Sequence, residues 1–300
     1  MYGGRRPAHP RAMKLRMGIV AFLLALLASV AAAASPLGPD GAPGQRFPGK
    51  FIWYDLATEN PEGARAFYGA VFGWKFRDAN EAAAPYTLIE NEGVKIGGMF
   101  KHTRPPGGKV GARWLSMLSV NDPARAAQVV RKSGGQVVLA PANFKGRGVH
   151  AVFRDPQGAV FGVLAAEGGD PPDTPVIDGD VFWLDLFTTD PEKAAAFYAE
   201  LAGYEVAVGD VAGRTRTLLA SRGIARAGVT HLPRGADRPG WLPYILVDDV
   251  PGTLARVRSS GGKVLMEPQP GVLDGNLAVI ADREGGVLGV VNWTAREGTR

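Results

Sequence analysis

The chain has 300 residues, of which 46% are hydrophobic and 21% are charged. This composition excludes a wholly disordered chain, and the length fits two domains. The absence of cysteine excludes disulfides, thiolate metal sites and a cysteine nucleophile. The formal net charge of +5 suggests an anionic partner, but the excess lies in residues 1–34. Without them the chain has 29 basic and 29 acidic residues, so we expect no nucleic-acid partner.

Residues 1–34 have the pattern of a secretory signal peptide. Lys14 and Arg16 precede an uncharged apolar run at 18–34, and the small residues 31–35 follow its apolar centre. A basic start, a short apolar core and a small-residue cleavage site are typical of export signals. We therefore predict an exported, cleaved protein without stable membrane association. The alternative is an uncleaved anchor, because the apolar run reaches the lower edge of membrane-spanning length.

An internal repeat organises the rest of the chain. Matching segments recur at a nearly constant offset: 51–58 with 181–188, Phe67-Tyr68 with Phe197-Tyr198, and Trp114-Leu115 with Trp241-Leu242. The repeat predicts two tandem modules, at 50–167 and 180–294. The segments 35–49 and 168–179 are rich in proline and glycine, so they are interpreted as a flexible lead-in and a linker.

Each module contains the same order of elements twice. In the first module, an alternating strand leads to Asn60 and Pro61, which predict a helix N-cap and a first-turn proline, and Gly73 predicts the end of that helix. The predicted strands of this module are 51–58, 74–79, 86–91 and 94–102, then 114–120, 136–140, 148–154 and 160–166, with the second helix running from Asp122-Pro123 to Gly134. The chain is therefore predicted to hold four βαβββ units.

Four short motifs recur in order in both modules. They are Phe67-Tyr68, Phe72-Gly73-Trp74, Val120-Asn121-Asp122 and Asp155-Pro156-Gln157-Gly158, repeated as Phe197-Tyr198, Ala202-Gly203-Tyr204, Val247-Asp248-Asp249 and Asp282-Arg283-Glu284-Gly285. Together they resemble the vicinal-oxygen-chelate superfamily, which includes glyoxalase I, extradiol dioxygenases and bleomycin- or fosfomycin-resistance proteins. The resemblance covers nearly all of 50–294. It implies an α+β fold in which paired βαβββ units form an eight-stranded curled sheet, or cup, with the helices outside.

Members of that superfamily usually hold a divalent metal in the cup, through side chains on the first, fifth and eighth strands. By motif position these sites fall on Trp53, Leu115 and Gly162, and on Trp183, Leu242 and Gly289. Such side chains are not metal ligands, because a divalent metal needs N, O or S donors. Of the histidines, His9 lies in the export segment, and His102, His150 and His231 are interpreted as isolated residues. We therefore predict no metal and no cofactor.

Strand alternation predicts which side chains line the cups. If Leu56 packs under the helices, Trp53 and Asp55 face the cup, and the second module repeats this arrangement. The cup-lining candidates are Trp53, Asp55, Met117, Gly162, Trp183, Asp185, Tyr244 and Gly289. Aromatic walls with one carboxylate suit a small organic molecule, and an aromatic one is included in this prediction. The two glycines would open room beside the indoles or accommodate their bulk.

Three hypotheses follow for the function. The first is an exported, metal-free binding protein for a small organic molecule. The second is a lyase, isomerase or dioxygenase of the same fold, in which Asp55 or Asp185 acts as a general base or an unorthodox metal is used. The third is a structural or interaction protein whose cups are plugged by their own tryptophans, with each aspartate holding strands together through hydrogen bonds.

Overall fold

The computed structural model describes residues 37–80, 82, 84–103, 111–211, 214–233, 235–236 and 238–293. The predicted signal peptide and its cleavage site lie outside the described residues. Within the described part of the chain, no helix has the length and apolar character needed to cross a membrane.

The order of elements confirms four βαβββ units. The first module consists of β1 (Phe51–Thr58), α1 (Pro61–Phe72), β2 (Lys75–Asp78), β3 (Tyr86–Asn91), β4 (Val94–Lys101), β5 (Arg113–Ser119), α2 (Pro123–Lys132), β6 (Gln136–Phe144), β7 (Gly148–Arg154) and β8 (Val160–Ala166). The second consists of β9 (Val181–Thr188), α3 (Pro191–Ala202), β10 (Glu205–Val211), β11 (Arg214–Ser221), β12 (Ile224–His231), β13 (Gly240–Leu246), α4 (Val250–Ser259), β14 (Lys263–Met266), a 3-10 turn (Leu273–Gly275), β15 (Leu277–Ala281) and β16 (Val287–Val291). Strand β6 is longer than the predicted 136–140.

Helix α1 begins and ends at the predicted residues. The side chain of Asn60 accepts a hydrogen bond from the Gly63 amide at 2.9 Å, and Pro61 occupies the first turn, where its missing N–H has no helical partner. Gly73 ends the helix with φ of 76°, a left-handed conformation that favours glycine. Helix α3 repeats both caps, with Asp190 and Pro191 at its start and Gly203 at its end, whereas α2 and α4 end at serines.

Each module forms one eight-stranded mixed sheet. The strand orders are β2-β3-β4-β1-β5-β8-β7-β6 and β10-β11-β12-β9-β13-β16-β15-β14. The two units of a module join where β1 runs antiparallel to β5, and where β9 runs antiparallel to β13. We call the sheet face that carries Trp53 and Asp55 cup 1, and the face that carries Trp183 and Asp185 cup 2. This architecture confirms the predicted α+β fold of paired units.

The helices lie outside the cups but between the modules. Helix α1 contacts α4 and helix α2 contacts α3, so each large apolar cluster combines one unit of each module. The contact is nearly symmetric in its polar groups. The Tyr68 hydroxyl donates to Asp282 Oδ2 at 2.8 Å, and the Tyr198 hydroxyl donates to Asp155 Oδ2 at 3.1 Å. The two modules therefore share their cores.

The lead-in and the linker have no regular helix or strand, as their composition indicates, but they are packed. Leu37 is buried, and its amide donates to the Gly146 carbonyl at 2.9 Å. The Phe47 amide donates to Asp170 Oδ2 at 2.5 Å, and Asp170 is itself fully buried. A buried linker carboxylate and backbone hydrogen bonds therefore anchor residues 37–49, which the proline and glycine content of the segment does not indicate.

Candidate functional site

Cup 1 centres on the carboxylate of Asp55. Strand alternation places Leu56 in the helix-facing core and turns Trp53 and Asp55 to the opposite face, as predicted. Trp53 Nε1 donates to Asp55 Oδ1 at 3.0 Å, and the Tyr86 hydroxyl donates to the same oxygen at 2.6 Å. Arg147 Nη2 forms an ion pair with Asp55 Oδ2 at 2.5 Å. Both carboxylate oxygens are therefore engaged by donors from three different parts of the module.

The charges of cup 1 neutralise each other away from water. Asp55 is 2% exposed and Arg147 is 6% exposed. Burial and the charge of Asp55 raise the pKa of Tyr86 well above its usual value, so the phenol stays protonated and keeps donating. Burial acts to lower the pKa of Arg147, but the charge and hydrogen bonding of Asp55 outweigh it and raise that pKa. Arg147 therefore stays charged beside Asp55.

Cup 1 is filled by the protein's own side chains. Trp53 is completely buried, in an apolar cluster that includes Leu88, Met117 and Leu164. Leu37 of the lead-in belongs to the same cluster. The segment that the sequence identified only as a lead-in thus supplies part of the packing of cup 1.

His150 also faces cup 1. It lies on β7 opposite Leu164 of β8, so both side chains share a sheet face. Its ring stacks on Phe144 with centroids 3.8 Å apart and planes inclined by 11°. Burial and, next, the positive charge of Arg147 lower the pKa of His150 to about 4. The ring is therefore neutral at pH 7.

Cup 2 contains the same four residue types. Trp183 Nε1 donates to Asp185 Oδ1 at 3.0 Å, and Arg216 Nη1 pairs with Asp185 Oδ2 at 2.8 Å. Burial and then the charge of Asp185 raise the pKa of Tyr244 well above its usual value, so the phenol stays protonated beside this carboxylate. In contrast to cup 1, the Arg216 side chain is 26% exposed and Trp183 is only half-buried. Cup 2 is therefore the accessible one.

Different elements supply the arginine and the tyrosine of the two cups. In cup 1, Tyr86 comes from β3 and Arg147 from the turn before β7, whereas in cup 2 Arg216 comes from β11 and Tyr244 from β13. Arg216 lies as far along the chain from Tyr86 as the second Phe-Tyr motif lies from the first. Arg216 therefore occupies the position in the second module that Tyr86 occupies in the first. Sequence reasoning selected Tyr244 but missed the other three. The sequence did contain a signal for Arg216. Arg216 and Leu219 lie an odd number of residues apart on one strand, so their side chains face opposite sides of the sheet, and Leu219 is buried in the helix-facing core.

The two candidate glycines lie in close contact with side chains of the neighbouring strand. A side chain at Gly162 would overlap the sulfur of Met117, and one at Gly289 would overlap the ring of Tyr244. These contacts follow from the register, in which Met117 lies opposite Gly162 and Tyr244 opposite Gly289. Met117 and Tyr244 therefore occupy the space directly over the two glycines.

The positions that the superfamily uses for a metal do not fit one here. In cup 1 these positions hold the apolar side chains of Trp53 and Leu115 and the covered Gly162. In the described part of the chain, no group of three or more His, Cys, Asp or Glu side chains is arranged to hold a metal ion. Asp55 and Asp185 bind arginines instead, so the donor set required for a divalent metal is not assembled.

Comparison with known proteins assigns both modules to the kind of domain that their sequence motifs indicate. The family model described as the glyoxalase/bleomycin resistance protein/dioxygenase superfamily matches residues 50–163, and the model of a glyoxalase-like domain matches residues 182–291. The anthracycline biosynthesis protein DauV of Streptomyces sp. strain C5 is 30% identical over 234 residues, which cover 74% of this chain and 85% of that protein. CFP32 of Mycobacterium tuberculosis, provisionally named a glyoxylase, is 27% identical over 244 residues, or 80% of this chain and 93% of its own length.

Solved structures share the fold. The Mn(II)-bound glyoxalase of Novosphingobium aromaticivorans has a TM-score of 0.53 at 15% identity and covers 82% of each chain. The 2,2',3-trihydroxybiphenyl 1,2-dioxygenase of Sphingomonas wittichii strain RW1 also has a TM-score of 0.53, at 12% identity, and covers 83% of this chain and 91% of its own. At these identities the likeness concerns the arrangement of the tandem modules alone.

Proposed function

Because the chain belongs to the glyoxalase/bleomycin resistance protein/dioxygenase superfamily, we propose that it is an exported, metal-free protein that binds a small organic molecule in cup 2. One observation carries the choice of cup: Trp183 and Arg216 are partly accessible, whereas Trp53 is completely buried. Export rests on the pattern of residues 1–34. The metal-free state is supported by the apolar and glycine residues at the superfamily's ligand positions.

The ligand that suits cup 2 is a planar aromatic molecule with oxygen acceptors. The half-buried indole of Trp183 offers a ring to stack on. Arg216 uses Nη1 for Asp185, and a guanidinium has further N–H groups that reach oxygen acceptors at an exposed edge. The names of relatives support an aromatic class, since DauV is an anthracycline biosynthesis protein and one solved neighbour is a trihydroxybiphenyl dioxygenase.

Catalysis by the cup aspartates is less well supported than binding. A general base needs a free lone pair within reach of the proton that it removes. Asp185 already accepts hydrogen bonds from Trp183 and Arg216, one on each carboxylate oxygen. We therefore assign Asp185 the role of positioning Arg216 and Trp183 for the ligand. Cup 1, with its buried tryptophan, is favoured as the plugged, structural cup of the third hypothesis.

A binding titration with a matched pair of variants tests the proposal. The exported, processed protein is titrated calorimetrically with 2-naphthoate, as wild type, Arg216→Gln and Arg258→Gln. Arg258 pairs with Glu267 on the surface, so its variant also loses one cation and one ion pair, but outside cup 2. We expect one equivalent bound by the wild type and by Arg258→Gln, and an affinity at least tenfold lower for Arg216→Gln. Equal weakening in both variants, or no binding by the wild type, would contradict the proposal.

Two further measurements address the other parts of the proposal. N-terminal sequencing of protein recovered outside the cytoplasm is expected to show cleavage within residues 31–35, whereas an intact N-terminus would contradict processing. Elemental analysis of the purified protein is expected to show no stoichiometric metal. One tightly bound metal ion per module would overturn the metal-free assignment.

A further inference from the structure

In the described part of the chain, the two sheets end in four edge strands, β2, β6, β10 and β14. Three of them have features that hinder the pairing of a further strand. Strand β6 contains Pro141 and two register shifts, β14 has four residues and one shift, and three of the four residues of β2 are charged. Strand β10 instead pairs with β11 over seven residues without a shift, contains no proline and is uncharged at 206–209. It is therefore the edge that is open to another strand.

The side chains along β10 are apolar on one side of the sheet and charged on the other. Val206 is 50% exposed and Val208 is 74% exposed. Both lie on the helix-facing side, because Val206 is opposite the buried Leu219. Glu205 is exposed on the other side, at one end of β10, and Arg216 of β11 lies on that same side near the other end. The edge therefore has an apolar centre and opposite charges towards its two ends.

We propose that β10 pairs antiparallel with β10 of a second copy of this chain, about a two-fold axis at Ala207, so that two sheets join in a weak dimer. In this register Val206 lies opposite the partner subunit's Val208, and the apolar pair occurs twice. Glu205 comes to lie two strands from the partner subunit's Arg216, on the same side of the sheet and with backbones about 10 Å apart. The two Glu205 residues lie about 14 Å apart, where salt screens their repulsion.

A second copy suits this edge because the edge is complementary to itself. An antiparallel two-fold axis brings each end of β10 against the opposite end of its partner, so the acidic end of one copy meets the arginine end of the other. The interface is one strand long, which is less than the area of about 1,200–2,000 Å² that stable complexes bury. We therefore expect a dimer that dissociates on dilution. The dimer does not rest on ligand binding in cup 2.

Sedimentation equilibrium of the purified protein at concentrations up to about 1 mM tests the dimer. We expect the unaltered chain to dimerise and the double variant Val206→Glu, Val208→Glu to stay monomeric, because its glutamates face those of the partner. The variant Val206→Lys, Val208→Lys should also be monomeric alone but should form a mixed dimer with the glutamate variant. The matched control is Val138→Glu, Leu139→Glu on β6, where both side chains are exposed, and it should dimerise normally. A monomeric unaltered chain, or a glutamate variant of β10 that still dimerises, would overturn the proposal.

A cross-linking test fixes the register and covers the case in which a charged variant does not fold. The chain contains no cysteine, so a single introduced thiol can form a disulfide only with its copy in another molecule. Ala207→Cys places two thiols at the two-fold axis, and we expect mild oxidation to give a covalent dimer. Ala140→Cys on β6 is the control, because Ala140 is also an exposed alanine of an edge strand, and it should stay monomeric. Equal cross-linking of both variants, or none of Ala207→Cys, would contradict the proposed pairing. Pairing of β10 with another protein instead would leave Ala207→Cys without a covalent dimer.

Discussion

Cup 1 and cup 2 contain the same Trp-Asp-Arg-Tyr group, but the protein gives them different access to water. In cup 1 the aspartate and arginine are both nearly fully buried, and Leu37 packs in the same cluster as the indole. In cup 2 the arginine side chain is 26% exposed. A repeat can therefore keep the chemistry of a site while segments outside the repeat decide which copy is open. This difference between the cups predicts a graded set of effects, beginning with the strongest.

Substitution of the cup aspartates should give the largest difference in stability between the two cups. Asp55→Ala leaves the buried Arg147 without a counter-ion, so we expect a loss of about 3–5 kcal/mol in the free energy of unfolding. Asp185→Ala is expected to cost about 1–2 kcal/mol, because the exposed part of Arg216 can be hydrated. Urea denaturation of both variants measures the two losses. Equal losses would mean that the two ion pairs are equally buried, against the structure.

The pH dependence of stability should come from cup 1. His150 has a pKa of about 4 in the folded protein, whereas an unfolded histidine has about 6.5, so the unfolded state binds the extra proton between these values. Stability is therefore expected to fall by about 2–3 kcal/mol as the pH drops from 6.5 to 4. His150→Phe should lose this dependence. Leu277 stands at the corresponding position of cup 2, so Leu277→Ala is expected to keep it.

The two glycines should respond differently to a methyl group. Gly289→Ala forces the ring of Tyr244 to move, and we expect a loss of about 2–3 kcal/mol. Gly162→Ala meets Met117, whose flexible side chain can turn aside, so about 1 kcal/mol is expected. Thermal unfolding of the two variants gives the comparison. A larger loss for Gly162→Ala would show that Met117 is held more rigidly than Tyr244.

Corresponding substitutions on the two sides of the contact between modules should lower the free energy of unfolding by equal amounts. Tyr68→Phe and Tyr198→Phe each remove a hydroxyl that donates to a buried aspartate of the other module and accepts from a tryptophan, Trp114 or Trp241. We expect each change to cost about 1–2 kcal/mol, within a few tenths of the other. Unequal losses in urea denaturation would show that the asymmetry of the cups extends to the shared cores.

Most of the fold could be predicted because its determinants are local or repeated. Asn60, Pro61 and Gly73 define a helix within one short stretch of sequence, and their counterparts after the second opening strand do the same. The sharing of cores between modules was not predictable in this way. It depends on contacts such as Tyr68 with Asp282, which are 214 residues apart and leave no periodic pattern.

The site could be predicted only in part. Alternation from Leu56 identified Trp53 and Asp55, because both lie on one strand. Arg147 was missed because it reaches Asp55 from a turn 92 residues away, and no repeat position marks it. Leu37 was missed because the proline and glycine around it predict flexibility, whereas its burial depends on an apolar surface that exists only after the sheet forms.

A crystal structure of the processed protein grown with 2-naphthoate decides whether cup 2 is the open cup. The predicted result is one molecule of 2-naphthoate in cup 2, with its rings on Trp183 and a carboxylate oxygen on Arg216, while Leu37 remains packed in cup 1. Density for the ligand in cup 1 with cup 2 empty, or an empty cup 2 at saturating ligand, would contradict this assignment.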